Sequence, residues 1–383
     1  MALAALVGLF AAPLAFSSQD AGLKLGAPTL TNNQVQFTLN CESGVTYVIE
    51  HSSDLQNWTP ALTNSDSSIA RLITADAPDG VAFYRARRGR RPVFAAALAA
   101  SGTINLAGNN LATDGFDSGD PMYSTPYGLY DPTKTKATGD VCTDGIHTNS
   151  LNVGNAEIKG HVKTGPGVNT ITIGPNGSVG ERLWVEGGYF GIEAGWASTD
   201  FNVVFPDVTL PTQVWLFATT TTPGSDIING VQYSYIFKTN GDYFINNLNG
   251  NVYVSTNAHV RLKINNSYNT SSQVIRLDVN NATLQIFMLG STFSLGGGAL
   301  IDNPSGHAER FYLFGLPSCT SISFGGNGNF YGAIYAPEAD FTLGGGGSST
   351  WDFVGSSVTK SVTMNGHFNF HYDETLQRVG PTG

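Results

Sequence analysis

The chain has few charged residues, and its basic residues do not form the large cluster that nucleic-acid binding requires. Charged side chains make up 13% of its 383 residues, about half of the roughly 25% typical of soluble proteins. The net charge is −10, and the densest basic segment is the RARRGRR run at 85–91. Nucleic-acid binding requires cations gathered on one face to neutralise phosphates. The composition therefore argues against a nucleic-acid partner.

Cysteine is also scarce, and its spacing excludes two common kinds of site. Cys41, Cys142 and Cys319 lie far apart, and no CxxC pair is present. Neither a zinc ribbon nor a thioredoxin-like site is therefore indicated. We interpret the three as buried thiols that act as small apolar residues. One long-range disulfide with a leftover thiol, formed in an oxidising compartment, is the alternative.

Long helices and long apolar runs are missing as well. No helical periodicity longer than a couple of turns occurs beyond residue 20, and the only extended apolar run is MALAALVGLFAAPLAF at 1–16. That run is too short to span a bilayer and suits the hydrophobic region of a signal peptide, although the basic n-region is absent. We predict a signal-like or assembly segment at 1–20, which indicates export. If retained, it would form a packed apolar helix that docks into a neighbouring subunit.

Glycine is abundant, with 46 residues, and short apolar runs recur with strand-like spacing. Residues 27–87 show alternation at Val35, Phe37 and Leu39, with turn signals between the runs, which predicts a small β-sandwich. The stretches GVTYVIEHSSDLQNWTP and GVAFYRAR resemble a fibronectin-III-like or immunoglobulin-like module. The resemblance implies that the core aromatic residues are Tyr47, Trp58 and Tyr84. A basic linker follows at 88–92.

From residue 93 the sequence pattern changes to short pairs of apolar residues separated by turns that contain glycine and asparagine. Such pairs are Ile104 and Leu106, Leu151 and Val153, Ile158 and Val162, and Ile171 and Ile173. The last fifty residues continue this pattern in FYGAIYAPEADFTLGGGG and the runs after it. Short strands that stack on one another are typical of a β-solenoid. The fold class predicted for the chain is all-β, with the small N-terminal sandwich followed by a parallel β-solenoid at 93–378.

Two blocks of this second region resemble a known family. They are FDSGDPMYSTPYGLYDPTKTKATGDVCTDG with SLNVGNAEIKGHVKTGPG, and FYGAIYAPEADFTLGGGG with DFVGSSVTKSVTMNGHFNFHYDETL. Together they are similar to an uncharacterised bacterial surface β-solenoid domain family often labelled PilX-type pilus-assembly protein. The resemblance implies a surface or pilus-associated location in a Gram-negative bacterium, a structural or adhesive role, and no catalytic residues.

Three aspartates are the candidate metal ligands. Asp114, Asp117 and Asp120 lie three residues apart with Gly115 and Gly119 between them. Carboxylates on a glycine-bearing loop could supply oxygens to Ca²⁺. The alternative is that each carboxylate bonds to its own backbone in a turn. No other cofactor is predicted.

Two further groups of residues suggest alternative sites. His367 and His371 in HFNFHYDE would share one face of a strand and could bind a metal with Asp373 or Glu374, but we favour a solvated cap on the last coil. A β-helix polysaccharide lyase is the enzymatic alternative. Its candidate residues are Lys159, His161, Lys163, Glu181, Arg182 and Trp184.

The sequence thus predicts an extracellular structural or adhesive surface protein rather than an enzyme. We expect it to self-associate into an oligomer or a filament, because open solenoid ends and sheet edges pair with other chains unless they are capped. The alternative is a carbohydrate-binding surface module that binds glycans through exposed aromatic residues such as Trp196, Trp215 or Tyr233.

Overall fold

The protein is all-β, and its chain divides into two compact units. The computed structural model describes residues 3–7, 24–27, 29–31, 34–40, 47–53, 55, 58–64, 70–76, 82–88, 93–107, 111–167, 169–221, 226–326, 328–345 and 349–379. One unit comprises Met1–Arg91 and the other Pro92–Pro381. The longest helices among the described residues have five residues, as the absence of helical periodicity predicted.

The first unit contains two antiparallel sheets of four strands each. One sheet has the order β1-β8-β5-β6, and in the other β4 pairs with β2, β3 and β7. The strands are β1 (Leu3–Val7), β2 (Lys24–Leu25), β3 (Thr29–Thr31), β4 (Gln34–Asn40), β5 (Tyr47–Ser52), β6 (Thr59–Asn64), β7 (Ala70–Asp76) and β8 (Ala82–Arg88).

Side chains from both sheets are buried against each other in this unit. Phe37 of β4 lies 5.6 Å from Tyr84 of β8, measured between ring centroids. Tyr47 and Tyr84 are buried, whereas Trp58 is half-buried beneath the guanidinium of Arg85. The alternation predicted for β4 is confirmed. That the two sheets form a fibronectin-III-like or immunoglobulin-like sandwich stays a prediction.

The described part of the apolar N-terminal segment is a strand. Leu3–Val7 pairs antiparallel with Ala82–Arg88 of the same chain, so the interpretation of these residues as a helix is wrong. These residues therefore pair with β8 of their own unit, and docking of the segment into a neighbouring subunit stays a prediction. The rest of the 1–20 segment lies outside the described residues.

The second unit begins with short strands that all pair in parallel. They are β9 (Leu98–Ala100), β10 (Ile104–Asn105), β11 (Ala112–Phe116), β12 (Val141–Thr143), β13 (Leu151–Gly154), β14 (Glu157–Lys159), β15 (Val162–Lys163), β16 (Ile171–Ile173), β17 (Ser178–Gly180), β18 (Gly191–Ile192) and β19 (Ala197–Ser198). Helix α1 (Arg182–Glu186) lies between β17 and β18.

Further strands follow residue 215. They are β20 (Leu216–Phe217), β21 (Ile227–Ile228), β22 (Val231–Gln232), β23 (Tyr235–Phe237), β24 (Gly241–Ile245), β25 (Val252–Val254), β26 (His259–Ile264), β27 (Tyr268–Thr270), β28 (Val274–Leu277), β29 (Thr283–Met288), β30 (Thr292–Gly297), β31 (Leu300–Asp302), β32 (Phe311–Gly315), β33 (Ser321–Gly326), β34 (Phe330–Leu343), β35 (Trp351–Met364) and β36 (Phe368–Asp373). A 3-10 helix (Ala308–Arg310) precedes β32, and helix α2 (Thr375–Val379) follows β36. Apart from the hairpin β21–β22, these strands also pair in parallel.

The solenoid coils do not stack in the order of the sequence. On one face the strands follow each other as β20-β24-β26-β29-β32-β34-β35-β9-β12-β15-β19. The N-terminal coil (β9–β11) therefore lies in the middle of the stack, against the C-terminal coil (β35–β36). We call this contact the closure. The ends of the stack are β19 and β20, which are consecutive in sequence.

A strap, residues 199–215, joins these two ends. Eleven strands at about 4.8 Å spacing span about 48 Å, and 17 extended residues reach about 56 Å, so the strap is long enough to run the length of the stack. It packs on outward-facing aromatic residues: Tyr335 donates a hydrogen bond to the carbonyl of Pro206 at 2.7 Å, and Trp215 lies edge-on to Phe287. The strap and this aromatic stripe form a second, smaller core.

The main core is the interior of the coils. The aromatic rings of Phe330, Phe353 and Phe370 stack across three coils. The ring centroid of Phe353 lies 4.5 Å from that of Phe330 and 4.4 Å from that of Phe370. Ile104, Leu106, Leu151, Val153, Ile158 and Val162 are buried, as their spacing predicted. Ile171 and Ile173 are only partly buried, because they lie in the coils at the β19 end of the stack.

Candidate functional site

The most elaborate polar cluster lies at the closure. Asp114 of β11 and His371 of β36 are buried and lie on paired strands, in direct register. The Asp114 carboxylate is 2.7 Å from His371 Nδ1, and Asp352 of β35 is 3.3 Å from Nε2 of the same ring. We call Asp114, Tyr130, Asp352 and His371 the closure cluster.

A long loop between β11 and β12 covers this cluster. The Tyr130 ring stacks on the His371 ring at 3.8 Å between centroids, and its hydroxyl donates to Asp114 at 2.9 Å. Lys136 pairs with Glu374 at 2.5 Å. These contacts therefore fix the loop to the C-terminal coil and the residues that follow it.

The geometry favours a doubly protonated imidazole. Each ring nitrogen of His371 faces a carboxylate oxygen, and only the imidazolium can donate to both. Burial opposes the charge, but hydrogen bonds to Asp114 and Asp352 and the charges of both raise the pKa of His371 above its ordinary value. Burial and the neighbouring Asp114 raise the pKa of Tyr130 as well. The geometry thus favours an imidazolium held between two carboxyl groups.

The three predicted calcium ligands each have a protein partner. Asp117 pairs with Arg378 and accepts the Gly119 N–H at 2.9 Å, and despite burial these contacts lower its pKa. Asp120 accepts the Met122 N–H at 2.9 Å. The described residues contain no group of three or more His, Cys, Asp and Glu placed to hold a metal ion. Calcium at Asp114, Asp117 and Asp120 stays a prediction.

The interpretation of HFNFHYDE as a solvated cap on the last coil is wrong. Because the N-terminal coil stacks on β36, His371 and Asp373 are buried and His367 is half-buried. Asp373 accepts hydrogen bonds from the Ser118 and Thr375 N–H groups through one oxygen, and burial raises its pKa. The block lies inside the stack. His371 bonds to Asp114 and Asp352, and a metal site shared with His367 stays a hypothesis.

A second polar cluster contains the residues proposed for a lyase. Lys163 pairs with Asp140 at 2.7 Å, and the His161 ring lies 3.3 Å from the same carboxylate and stacks on Trp196. Partial burial of Asp140 opposes its ionisation, but these partners lower its pKa, and burial opposes the charge of Lys163, but Asp140 raises the pKa of that lysine. A charged lysine is a poor base at neutral pH, so this arrangement stabilises an ion pair between neighbouring coils.

The remaining lyase candidates have structural contacts around α1. Lys159 and Arg182 both pair with Glu186. Glu181 caps the helix by accepting the Leu183 N–H at 2.6 Å, and Trp184 stacks on Tyr189. None of these contacts assembles the acidic ligands and free base that the lyase hypothesis requires.

The aromatic residues proposed to bind glycans are not the most exposed ones. Tyr233 is buried, and Trp196 and Trp215 are half-buried against His161 and Phe287. A shallow, open groove of about 470 Å³ lies instead on the outer face of β24, β26 and β29. It is lined by polar side chains that include Asp242, His259, Arg261, Thr283 and Gln285.

The two described cysteines are buried and free, in agreement with their interpretation as buried thiols. Burial raises the pKa of both, that of Cys319 to about 11. Neither thiol is therefore activated as a nucleophile. Cys41 lies outside the described residues.

Fold and contacts together define a β-solenoid protein whose coils are stacked out of sequence order. Residues 218–379 match the model of a family described as Domain of unknown function (DUF7305). No curated protein and no solved structure matches the chain. The matched segment runs from the residue after β20 to the end of α2, so it includes the C-terminal coil but not the N-terminal coil. Among the described residues no helix is long and apolar enough to cross a membrane.

Sequence reasoning missed Tyr130 and Asp352 and the pairing of Asp114 with His371. These last two residues are 257 positions apart, and nothing in the local pattern relates them.

Proposed function

We propose that the protein is an extracellular structural or adhesive surface protein of a Gram-negative bacterium that self-associates. The observation that supports this proposal is the continuous ladder of eleven parallel strands, whose polar clusters are occupied by contacts within the chain. Asp114, Asp140 and His371 each bond to neighbouring coils. Polar side chains that bond to neighbouring coils stabilise the stack of coils. A rigid, elongated stack provides the extended surface that a structural protein needs.

Immunogold electron microscopy of the native host tests the location. Antibodies raised against residues 92–381 should label intact cells as strongly as permeabilised cells, and a strain without the gene should show no label. Labelling only after permeabilisation would contradict the surface role. Pilus association is a finer part of the proposal, and co-labelling of the protein with filaments would support it.

A carbohydrate-binding role is the second candidate, because the groove on β24, β26 and β29 presents polar side chains in an open cleft. Asp242 and Arg261 form a bidentate pair across its floor, with a distance of 2.7 Å between Arg261 Nη2 and Asp242 Oδ2. A glycan array tests this role. Binding that is lost in Gln285→Ala and kept in Tyr127→Ala would support it, since Tyr127 lies outside the groove, and an array without hits would contradict it.

A further inference from the structure

The described residues at the two ends of the solenoid share one property, which is that large apolar side chains are exposed there. At one end, Leu216 and Phe217 of β20 are 57% and 58% exposed. At the other, Tyr189 and Phe190, which directly precede β18, are 60% and 63% exposed. Terminal repeats of soluble solenoids normally carry a polar outer face. Apolar side chains at both ends therefore mark both as contact surfaces.

The interior core is also open at these ends. Most core side chains in the middle of the stack are buried, although Trp351 is partly buried, whereas several core side chains of the outermost coils are only partly buried. These are Ile171, Ile173, Ile192 and Trp196 at the β19 end and Tyr243 at the β20 end. One more coil placed on either end would complete their burial.

The outermost strands have unused backbone edges. Among the pairings of the described strands, β20 pairs only with β24, β19 only with β15, and β18 only with β17. Unpaired N–H and C=O groups on an edge strand are a template for another strand. All strands of the ladder run in the same direction. A strand from another molecule can therefore extend the parallel ladder only if it runs in that direction too.

We infer that the β19 end of one copy binds the β20 end of a second copy, head to tail. This inference rests on the proposed structural role and specifies its partner and geometry. Placing two identical ends together would instead oppose the strand directions. A head-to-tail contact uses two different surfaces, so each added copy leaves one end of each kind free. The product is an open filament that continues the parallel ladder across its subunits.

Two end variants of the full chain test this geometry. Phe217→Asp places a charge at the β20 end, and Phe190→Asp places one at the β19 end. Leu216→Asp and Tyr189→Asp are second variants at the same ends, and Tyr127→Asp is the matched control, since Tyr127 is 82% exposed on the loop that covers the closure. Circular dichroism checks folding, and analytical ultracentrifugation measures the size distribution across a concentration series.

We expect the wild type and Tyr127→Asp to form a concentration-dependent series of oligomers. Each end variant alone should be monomeric, and a 1:1 mixture of a β20-end and a β19-end variant should form dimers and nothing larger, because one intact end of each kind remains. Dimers of a single variant would overturn the inference in favour of contacts between like ends. A wild type that stays monomeric, or a mixture that does, would also overturn it. A monomer that is still labelled on intact cells would leave the surface role standing.

Discussion

Replacing Tyr372 with phenylalanine removes one oxygen from the contact between the C-terminal and N-terminal coils. The Tyr372 hydroxyl is buried and donates to the carbonyl of Phe94 at 2.8 Å. Tyr372 belongs to β36, and Phe94 lies just before β9. If the coils stacked in sequence order, these two residues would be at opposite ends of the solenoid, and the hydroxyl would have no such partner.

The size of the effect follows from the burial of both groups. Leaving a buried carbonyl without its donor costs about 1–3 kcal/mol, and the phenyl ring retains the packing. Gln377 also bonds to this hydroxyl, but Gln377 is exposed and can bond to water instead. For a unit of this size the loss corresponds to a fall in melting temperature of about 2–4 °C per kcal/mol.

Tyr268→Phe is the matched control. Tyr268 is equally buried, but its hydroxyl has no hydrogen-bond partner within the described part of the chain. Removing an unpartnered buried hydroxyl relieves a desolvation penalty, so the variant should be as stable as the wild type or about 1 kcal/mol more stable. The two variants lose the same atom from the same residue type.

Urea denaturation followed by circular dichroism measures the free energy of unfolding, and hydrogen exchange read by mass spectrometry locates the change. Tyr372→Phe should speed exchange in peptides from the N-terminal coil, residues 94–116, more than in peptides from β26 or β29. Equal stability of Tyr372→Phe and Tyr268→Phe, with unchanged exchange in the N-terminal coil, would refute the closure.

Two further predictions concern the C-terminal coil. Gly355→Ala should destabilise the protein by about 3 kcal/mol or more. Gly355 has φ +144°, and a Cβ at this position would collide with the carbonyl of Gly332. Gly344 has open space around it, so Gly344→Ala should be nearly neutral in the same urea titration. Because the pKa of His371 is raised, its contribution to stability is complete below about pH 6.5 and is lost as the pH rises through the folded-state pKa. The urea midpoint of the wild type should therefore fall over that range, and a pH profile unchanged in His371→Gln would contradict the assignment.

Much of the fold was predictable because solenoid strands obey a local rule. The in-facing positions of β10, β13 and β14 follow from alternation alone, and Val153 and Ile158 are buried as expected. The period of two fixes which side chains point inward, and this holds whatever coil lies above or below. The fold class therefore followed from the sequence, and so did the buried inner faces of strands inside the stack, whereas Ile171 and Ile173 at the β19 end are only partly buried.

The order of the coils was not predictable in the same way. The alternation of apolar residues identifies a strand, but it does not identify the two strands that pair with its edges. One coil of a solenoid can stack equally well on many others. The assumption that the last coil in sequence is the last in space made HFNFHYDE look like a cap. Its burial depends on β11, whose Asp114 is in register with His371, and such a long-range pairing leaves no local trace.

The closure and the proposed assembly have one physical origin. A solenoid wound in sequence order has its first and last coils at its ends, where termini and linkers can cover the open core. Here the N-terminal and C-terminal coils meet in the middle, so Tyr372 and Asp114 complete an interior joint instead of protecting an end. The strap reaches both ends but covers the lateral aromatic stripe, where Pro206 bonds to Tyr335. Both end faces are therefore left to a second copy of the chain, whose complementary end has the strand polarity to continue the ladder.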